Sequence, residues 1–333
     1  MKIAIIKPTE SLQTTGGVLV QAVMWKEGLE ALGNEVILVN FWEDNDWKRF
    51  DIILVIQFGG MFRTLARDLV KINPNLVLAP IIDTNLSHLI FKILTRYWGS
   101  QKYLGLTSRF HDLYLMRNCF KLFLARSEYE RAYITRCLGV EEERCKIVPL
   151  SFRNTPPDYF PEKEKFCLHV SRLTDPTKNV NRIIEAAQKY GFPLVLAGNI
   201  TNEQDKNNLL QKIASSENIR YAGQLDDATL EDYYRRAAVF ALPSINEGVG
   251  MVALEAASYG CEIVLTKLGA PKEYYDQNVY LVDPYSVDEI GNAIRKALEG
   301  PGHQPGLQKY VCEKYNIRAC SKLLHDYLEL TVK

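Results

Sequence analysis

The sequence predicts an α/β protein built from two doubly wound domains with parallel sheets, and three observations carry that prediction. Short apolar runs recur along the 333 residues, many of them separated by stretches of helical periodicity. A proline-containing, non-periodic stretch divides these runs into two sets. The length suits two domains of ordinary size, and a 47% hydrophobic content supplies a core for each.

In the first set, strands are expected at Lys2–Ile6, Glu35–Val39, Ile52–Ile56, Leu76–Ile82, Leu122–Ala125 and Lys146–Val148, with helices at Val18–Leu32 and Phe62–Ile72. These runs are apolar throughout rather than alternating, as in parallel strands covered on both faces. The stretch Arg153–Lys165 (RNTPPDYFPEKEK) carries three prolines and mixed charge and reads as a linker. Beyond it, strands are expected at Phe166–Val170, Pro193–Ala197, Ile219–Ala222, Val239–Leu242, Glu262–Thr266 and Val279–Val282. Helices intervene at Val180–Tyr190, Asp205–Ala214, Asp227–Ala237, Met251–Tyr259 and Val287–Leu298. The expected division is therefore 1–155 and 156–313. A closing helix, 314–333, has a pattern compatible with packing on its own domain or across on the first. Two such domains can turn the carboxyl ends of their sheets toward a shared cleft.

Composition removes several classes of function. With 40 basic and 40 acidic residues the formal net charge is zero, unlike a nucleic-acid binder driven by counterion release. Seven cysteines, odd in number and without a CxxC pair, point to reduced thiols in a cytoplasmic protein rather than disulfides or zinc. The opening MKIAIIKP reads as a first strand, too short in its apolar run for a signal peptide. No stretch approaches the roughly 18 apolar residues of a membrane span.

Three loops carry chemistry. In PSINEGVGMVALEAASYG (243–260), Pro243 ends the strand, Glu247-Gly248-Val249-Gly250 form a loop, and a helix starts at Met251, with Gly260 suited to its C-terminal cap. Glycines admit a ligand close to the backbone, and the helix start offers unpaired N–H groups to phosphate. Glu247 and, one turn into the helix, Glu255 can accept from sugar or ribose hydroxyls; a glycine turn with ordinary acidic helix-start residues is the alternative. In LHVSRLTDPTKNVNRIIEAA (168–187), Arg172 and Lys178 bracket the loop after a strand. They are either a pair able to neutralise a departing diphosphate or two solvated surface cations. In PTESLQTTGGVLVQAV (8–23), Gly16-Gly17 open the first helix without the full G-x-G-x-x-G fingerprint of a dinucleotide site.

Together these loops resemble the retaining GT-B glycosyltransferases of family 4, the "glycosyl transferases group 1" type. The family pattern S-x-x-E-G-x-G-x-x-x-x-E-A is met by Ser244, Glu247, Gly248, Gly250, Glu255 and Ala256; its "GRL…K" loop by Ser171-Arg172-Leu173 and Lys178; its first-loop glycines by Gly16-Gly17. AGQLDD (222–227) and LGAPKE (268–273) add weaker echoes. The resemblance spans nearly the whole chain. It implies that Arg172 and Lys178 grip the donor diphosphate and that the amides around Gly248, Val249, Gly250 and Met251 hold phosphates or sugar. It also implies Glu247 on hydroxyls of the transferred sugar, Glu255 on the ribose, Gln224 or Leu225 near the base, and Gly17 against the diphosphate from the other domain. Where many relatives have a catalytic histidine, the chain reads APIIDTNLSH, with Asp83 at the aligned position and His88 further on. The "PNGVD" before the linker is Pro149-Leu150-Ser151-Phe152 here.

The implied reaction moves a sugar from a nucleoside-diphosphate sugar to an acceptor hydroxyl with retention, through an oxocarbenium-like transition state. No cofactor is expected beyond the donor itself, and no metal, since no DxD-like pair is placed to hold one. The acceptor is expected to be a glycan or a lipid-linked molecule, in polysaccharide or glycolipid synthesis. Residues 86–126 hold Lys92, Arg96, Lys102, Arg109, Arg117, Lys121 and Arg126 against one acid, Asp112, interleaved with aromatics. That mixture suits peripheral attachment to an anionic membrane at its inner face, or else a solvated cationic face on a core-packing helix pair. Two rivals stand beside the transferase: a donor-binding partner subunit without turnover, and an epimerase acting on the nucleotide sugar itself.

Overall fold

Runs of Ile, Val and Leu leave no polar face to turn to water, so each can only form a strand covered on both sides. The computed structural model describes residues 1–7, 16–59, 62–101, 106–300 and 302–333. Residues 8–15, Lys102 and Tyr103 lie outside them. The chain divides into two units: Met1–Ile82, Leu86–Ser151 and Ile317–Lys333 form one, Asp83–Asn85 and Phe152–Asn316 the other.

The first unit runs β1 (Lys2–Ile6), α1 (Gly17–Glu30), β2 (Glu35–Leu38), β3 (Ile52–Ile56), α2 (Phe62–Ile72), β4 (Leu76–Ala79), α3 (His88–Arg96), β5 (Ser100–Gln101), β6 (Leu106–Thr107), α4 (Arg109–Met116), β7 (Leu122–Ala125), α5 (Glu128–Ala132) and β8 (Cys145–Ile147). A π turn, Tyr133–Cys137, extends α5. Its main sheet has the order β2-β1-β3-β4-β7-β8, parallel throughout, while β5 and β6 pair antiparallel. The strand expected at Leu76–Ile82 stops at Ala79. Pro80 has no N–H for the ladder, and Ile81 takes a left-handed φ of 56°.

The second unit runs β9 (Glu164–Val170), α6 (Val180–Tyr190), β10 (Leu194–Ala197), α7 (Glu203–Ile213), β11 (Ile219–Gly223), α8 (Asp227–Arg236), β12 (Ala237–Leu242), α9 (Met251–Ser258), β13 (Glu262–Thr266), β14 (Tyr280–Val282), α10 (Val287–Glu299) and α11 (Gly306–Lys314). Its sheet is also parallel, in the order β11-β10-β9-β12-β13-β14. Strand order reverses between β9 and β12, the place where open α/β sheets take ligands. Asp226 Oδ1 accepts from Thr229 N–H (2.8 Å) as the cap of α8. Gly260, past the end of α9, has a φ of 85°. All seven cysteines are free thiols.

The last helix, α12 (Ile317–Val332), belongs to the first unit and packs on α1. Contact is tight at Gly28, where a Cβ would lie 1.8 Å from Ser321 Oγ and 2.6 Å from its Cβ. Asn34 Nδ2 lies 3.0 Å from His325 Nδ1, and Lys121 Nζ donates to the Thr331 carbonyl.

Within β9, His169 is wholly buried. Its Nδ1 meets the Ala241 carbonyl (2.8 Å), so that nitrogen carries the proton, and Nε2 accepts from Ser171 Oγ (2.8 Å). Burial, which disfavours the charged ring, pulls its pKa from 6.5 to about 4.

Gly28→Val should lower stability by about 1–3 kcal/mol through overpacking at the α1–α12 contact. A lower urea midpoint, partly restored by Ser321→Gly, is the expected reading; an unchanged midpoint refutes the contact. For His169, the unfolded chain binds a proton between pH 6.5 and about 4 that the folded chain refuses. Stability present above pH 6.5 should therefore fall toward pH 4, by an amount of order 3 kcal/mol, and His169→Gln should flatten that slope in urea titrations across the window.

Candidate functional site

The loops leaving β9 and β12 emerge side by side because these strands pair, Val239 with Cys167 and Phe240 with Leu168. After β9, Asp175 opens a short 3₁₀ turn, Pro176–Lys178, accepting from Thr177 N–H (2.9 Å) and Thr177 Oγ1 (2.6 Å). Arg172 donates to Asp175 Oδ2 (2.7 Å) and is otherwise exposed. Burial raises the Asp175 carboxyl, but Thr177 and the charges of Arg172 and Lys178 outweigh it and hold the pKa below the usual range. Asp175 thus feels both cations that the sequence singled out.

Lys178 turns the other way. Its Nζ meets Glu247 Oε2 at 2.7 Å, with side chains 17% and 13% exposed, and Ser244 Oγ donates to the same oxygen (3.2 Å). The pair joins the β9 loop to the β12 loop. Asn179, which the sequence reading passed over, reinforces the junction. It takes a left-handed φ of 61°, and its buried Nδ2 donates to the carbonyls of Pro243 (2.9 Å) and Pro284 (2.6 Å). One side chain therefore gathers the loops after β9, β12 and β14. A side-chain amide just ahead of a helix was the available signal.

Gly250 precedes α9 at φ 73°, a conformation that a side chain resists. No side chain caps that helix start, so its first amides face the loop. Val249 is buried, while Gly248 and Met251 are half-buried. A Cβ on Gly248 would lie 2.4 Å from Asp83 Oδ1, so the absence of a side chain permits that approach. Asp83, expected as a position of the first domain, groups instead with the second unit, as does Asn85, which donates to the Ile245 carbonyl (2.6 Å). Behind Glu247 stands the buried phenol of Tyr275, its pKa raised by burial and by the Glu247 charge.

Glu255 does not share the loop. It is 1% exposed, and its carboxylate takes Arg153 Nε (2.7 Å) and Tyr234 Oη (3.2 Å). The hydrogen bond to Glu255 raises the Arg153 pKa, against burial. The sequence lets Glu255 turn toward the mouth of the site; in the structure its carboxylate meets Tyr234 and the linker arginine. Arg153 itself lacked any sequence signal, because an isolated arginine in a linker looks like any solvated cation. Gln224, exposed, and Leu225, half-buried, follow β11 at the same edge of the sheet. Gly17 is the opening residue of α1, in the first unit. A cavity of about 480 Å³ lies beside the β9 loop, lined by Leu173, Asp175, Asn179, Arg182, Lys212 and Ile245 among others. Among the described residues no group of three or more His, Cys, Asp or Glu is arranged to hold a metal ion.

Known proteins share this arrangement of elements. A sucrose-phosphate synthase from Thermosynechococcus elongatus superposes with a TM-score of 0.73 over 99% of this chain and 98% of that one, at 16% identity. HepE from Anabaena, solved with UDP and glucose, gives 0.71 over 99% and 100%, also at 16% identity. At such identities the likeness is one of fold, the GT-B pairing of two Rossmann-like α/β units. In sequence, the chain is 28% identical to O-antigen chain mannosyltransferase B of Escherichia coli over 200 residues, 54% of this chain and 52% of that protein. It is 31% identical to the amylovoran biosynthesis glycosyltransferase AmsD of Erwinia amylovora over 178 residues, 50% and 49% of the two chains. The chain thus spans about half the length of these curated relatives. The sequence pattern described as "Glycosyl transferases group 1" matches residues 153–329, a stretch that holds the Arg172–Lys178 loop, Glu247 and α9, and the chain belongs to that family.

Proposed function

We propose that the chain transfers a sugar from a nucleoside-diphosphate sugar to an acceptor hydroxyl, with retention at the anomeric carbon and without a bound metal. The observation that carries this reading is the Lys178–Glu247 pair, held half-buried where strand order reverses and next to the uncapped start of α9. Lysine has three donors and spends one on Glu247, leaving two for diphosphate oxygens. Arg172 and the first amides of α9 add positive potential where charge grows on the leaving diphosphate. Glu247 then orients the transferred sugar through its hydroxyls, with Asp83 beside Gly248 and the same sugar. Gln224 or Leu225 contacts the base, and Gly17 is assigned to the diphosphate. A ribose contact by Glu255 requires its carboxylate to exchange Arg153 for sugar hydroxyls. HepE, solved with UDP and glucose, supports a nucleotide-sugar donor. The O-antigen and amylovoran enzymes support an acceptor of the glycan or lipid-linked kind. No cofactor takes part in this reading.

One observation favours a second reading, a donor-binding subunit without turnover: aspartate stands where the resemblance implies a catalytic histidine. Titration calorimetry with UDP, GDP and ADP in EDTA tests the donor site. One of them should bind, and Lys178→Ala should weaken it by roughly 10–100-fold, the worth of a charge-assisted hydrogen bond. Failure of all three to bind sinks both readings. Release of nucleoside diphosphate from the matching nucleotide sugar then separates them. The transferase reading expects turnover that falls by about 100-fold in Glu247→Gln while diphosphate binding survives. Binding with no release in any acceptor mixture leaves the subunit.

A further inference from the structure

We infer that the first unit docks on an anionic lipid surface through the outer face of α3. The broad cationic segment expected from the sequence does not survive folding intact. Arg126 is buried on Glu130 (2.8 Å), Arg117 donates to the Tyr114 carbonyl, and Lys121 is tied to Asn75 and Thr331. What folding exposes instead is apolar.

Phe91 and Thr95 mark the buried side of α3. Successive helical residues are offset by about 100°, which places Leu89, Ile90, Ile93, Leu94 and Tyr97 on one arc facing away from that side. Leu89 is 68% exposed, Tyr97 72% and Trp98 71%; Ile90, Leu94 and the preceding Leu86 are also exposed. A helix apolar on both sides is ordinarily buried on both, and among the described residues nothing covers this outer face. Tyr97 and Trp98 stand at one end of the ridge, and amphipathic aromatics favour the level of lipid headgroups.

Charge selects the occupant. Lys92 and Arg96 sit on α3 beside the ridge, and Arg136 is exposed on the π turn against which α3 packs. Arg96 Nε donates to the Cys137 carbonyl (2.7 Å), which anchors the cluster to that turn. All three cations oppose the burial that raises the Cys137 thiol, so they share one neighbourhood. Arg109 adds an exposed charge at the start of α4, its guanidinium 4.6 Å from the Phe110 ring. An apolar ridge rimmed by cations fits acyl chains bordered by anionic headgroups. A second copy of the chain fits poorly, because a two-fold interface sets like patches against each other and would oppose cation to cation. Among the described residues no helix is long and apolar enough to cross a membrane, so attachment here is to the surface.

Cosedimentation of the full chain with phosphatidylcholine vesicles, with and without about one-third phosphatidylglycerol, tests this. The chain should pellet with the anionic vesicles at low salt, and less so in high salt or with phosphatidylcholine alone. Lys92→Ala with Arg136→Ala should weaken binding by roughly 25-fold, at about five-fold per cation. Leu89→Ser with Leu94→Ser should weaken it at least as much, although both positions are exposed and the urea midpoint should hold. Absence of pelleting at low salt overturns the inference, as does binding that either double variant leaves unchanged. Self-association in the ultracentrifuge that Leu89→Ser/Leu94→Ser abolishes, without vesicle binding, assigns the ridge to a second copy instead.

Discussion

A parallel sheet sends every strand out at the same edge, and the second unit is organised by that constraint. Lys178 and Glu247 are 69 residues apart, yet they meet because β9 and β12 are hydrogen-bonded neighbours. The crossovers on either side of this pair run outward in opposite directions, so their loops part and leave an opening at the switch point. Asn179 keeps the opening defined, since its amide spans carbonyls from two other loops. Without it, two buried acceptors would lose their donor, a larger penalty than the net gain of an ordinary hydrogen bond.

Electrostatics at this edge serves placement more than stability. Removing charges from water costs free energy that a single partner seldom returns in full. Lys178–Glu247, Arg153–Glu255 and Arg126–Glu130 are each satisfied by further hydrogen bonds or neighbours, and each pins a loop or a helix end. Glu130 shows the logic in the first unit. It accepts from the amides of Ile82 (2.6 Å) and Arg126 (2.8 Å) while holding the Arg126 guanidinium, and so locks the chain where β4 has ended early. The end of that strand leads into Asp83.

Most of the fold was legible because apolar runs and helical periodicity are local signals. Phe62–Ile72 and Val180–Tyr190 form helices over the residues expected, and the strands expected in both halves occur with shifts of a few residues at their ends. The ends moved for local reasons outside periodicity, such as Pro80 after β4 and the pairing of Ala237 with Glu164 that starts β9 and β12 early. In the candidate site, residue type and loop position singled out Glu247, Gly250 and Lys178, and the structure brings Lys178 and Glu247 together. Asn179, Arg153 and Tyr275 were not singled out, since asparagine, arginine and tyrosine acquire meaning only from what surrounds them.

By itself the sequence determined two sets of strands and helices, a neutral chain and the loops after strands that carry the glycines, glutamates and cations. These depend on residue type and short-range spacing, which the chain carries in any conformation. Only the tertiary structure decided that Lys178 pairs with Glu247, that Glu255 is enclosed by Arg153 and Tyr234, and that α12 returns to α1. It also decided that the basic segment turns several cations inward while α3 turns leucines outward. Each of these depends on which distant elements become neighbours, and periodicity along one segment holds no information about the segment it will meet.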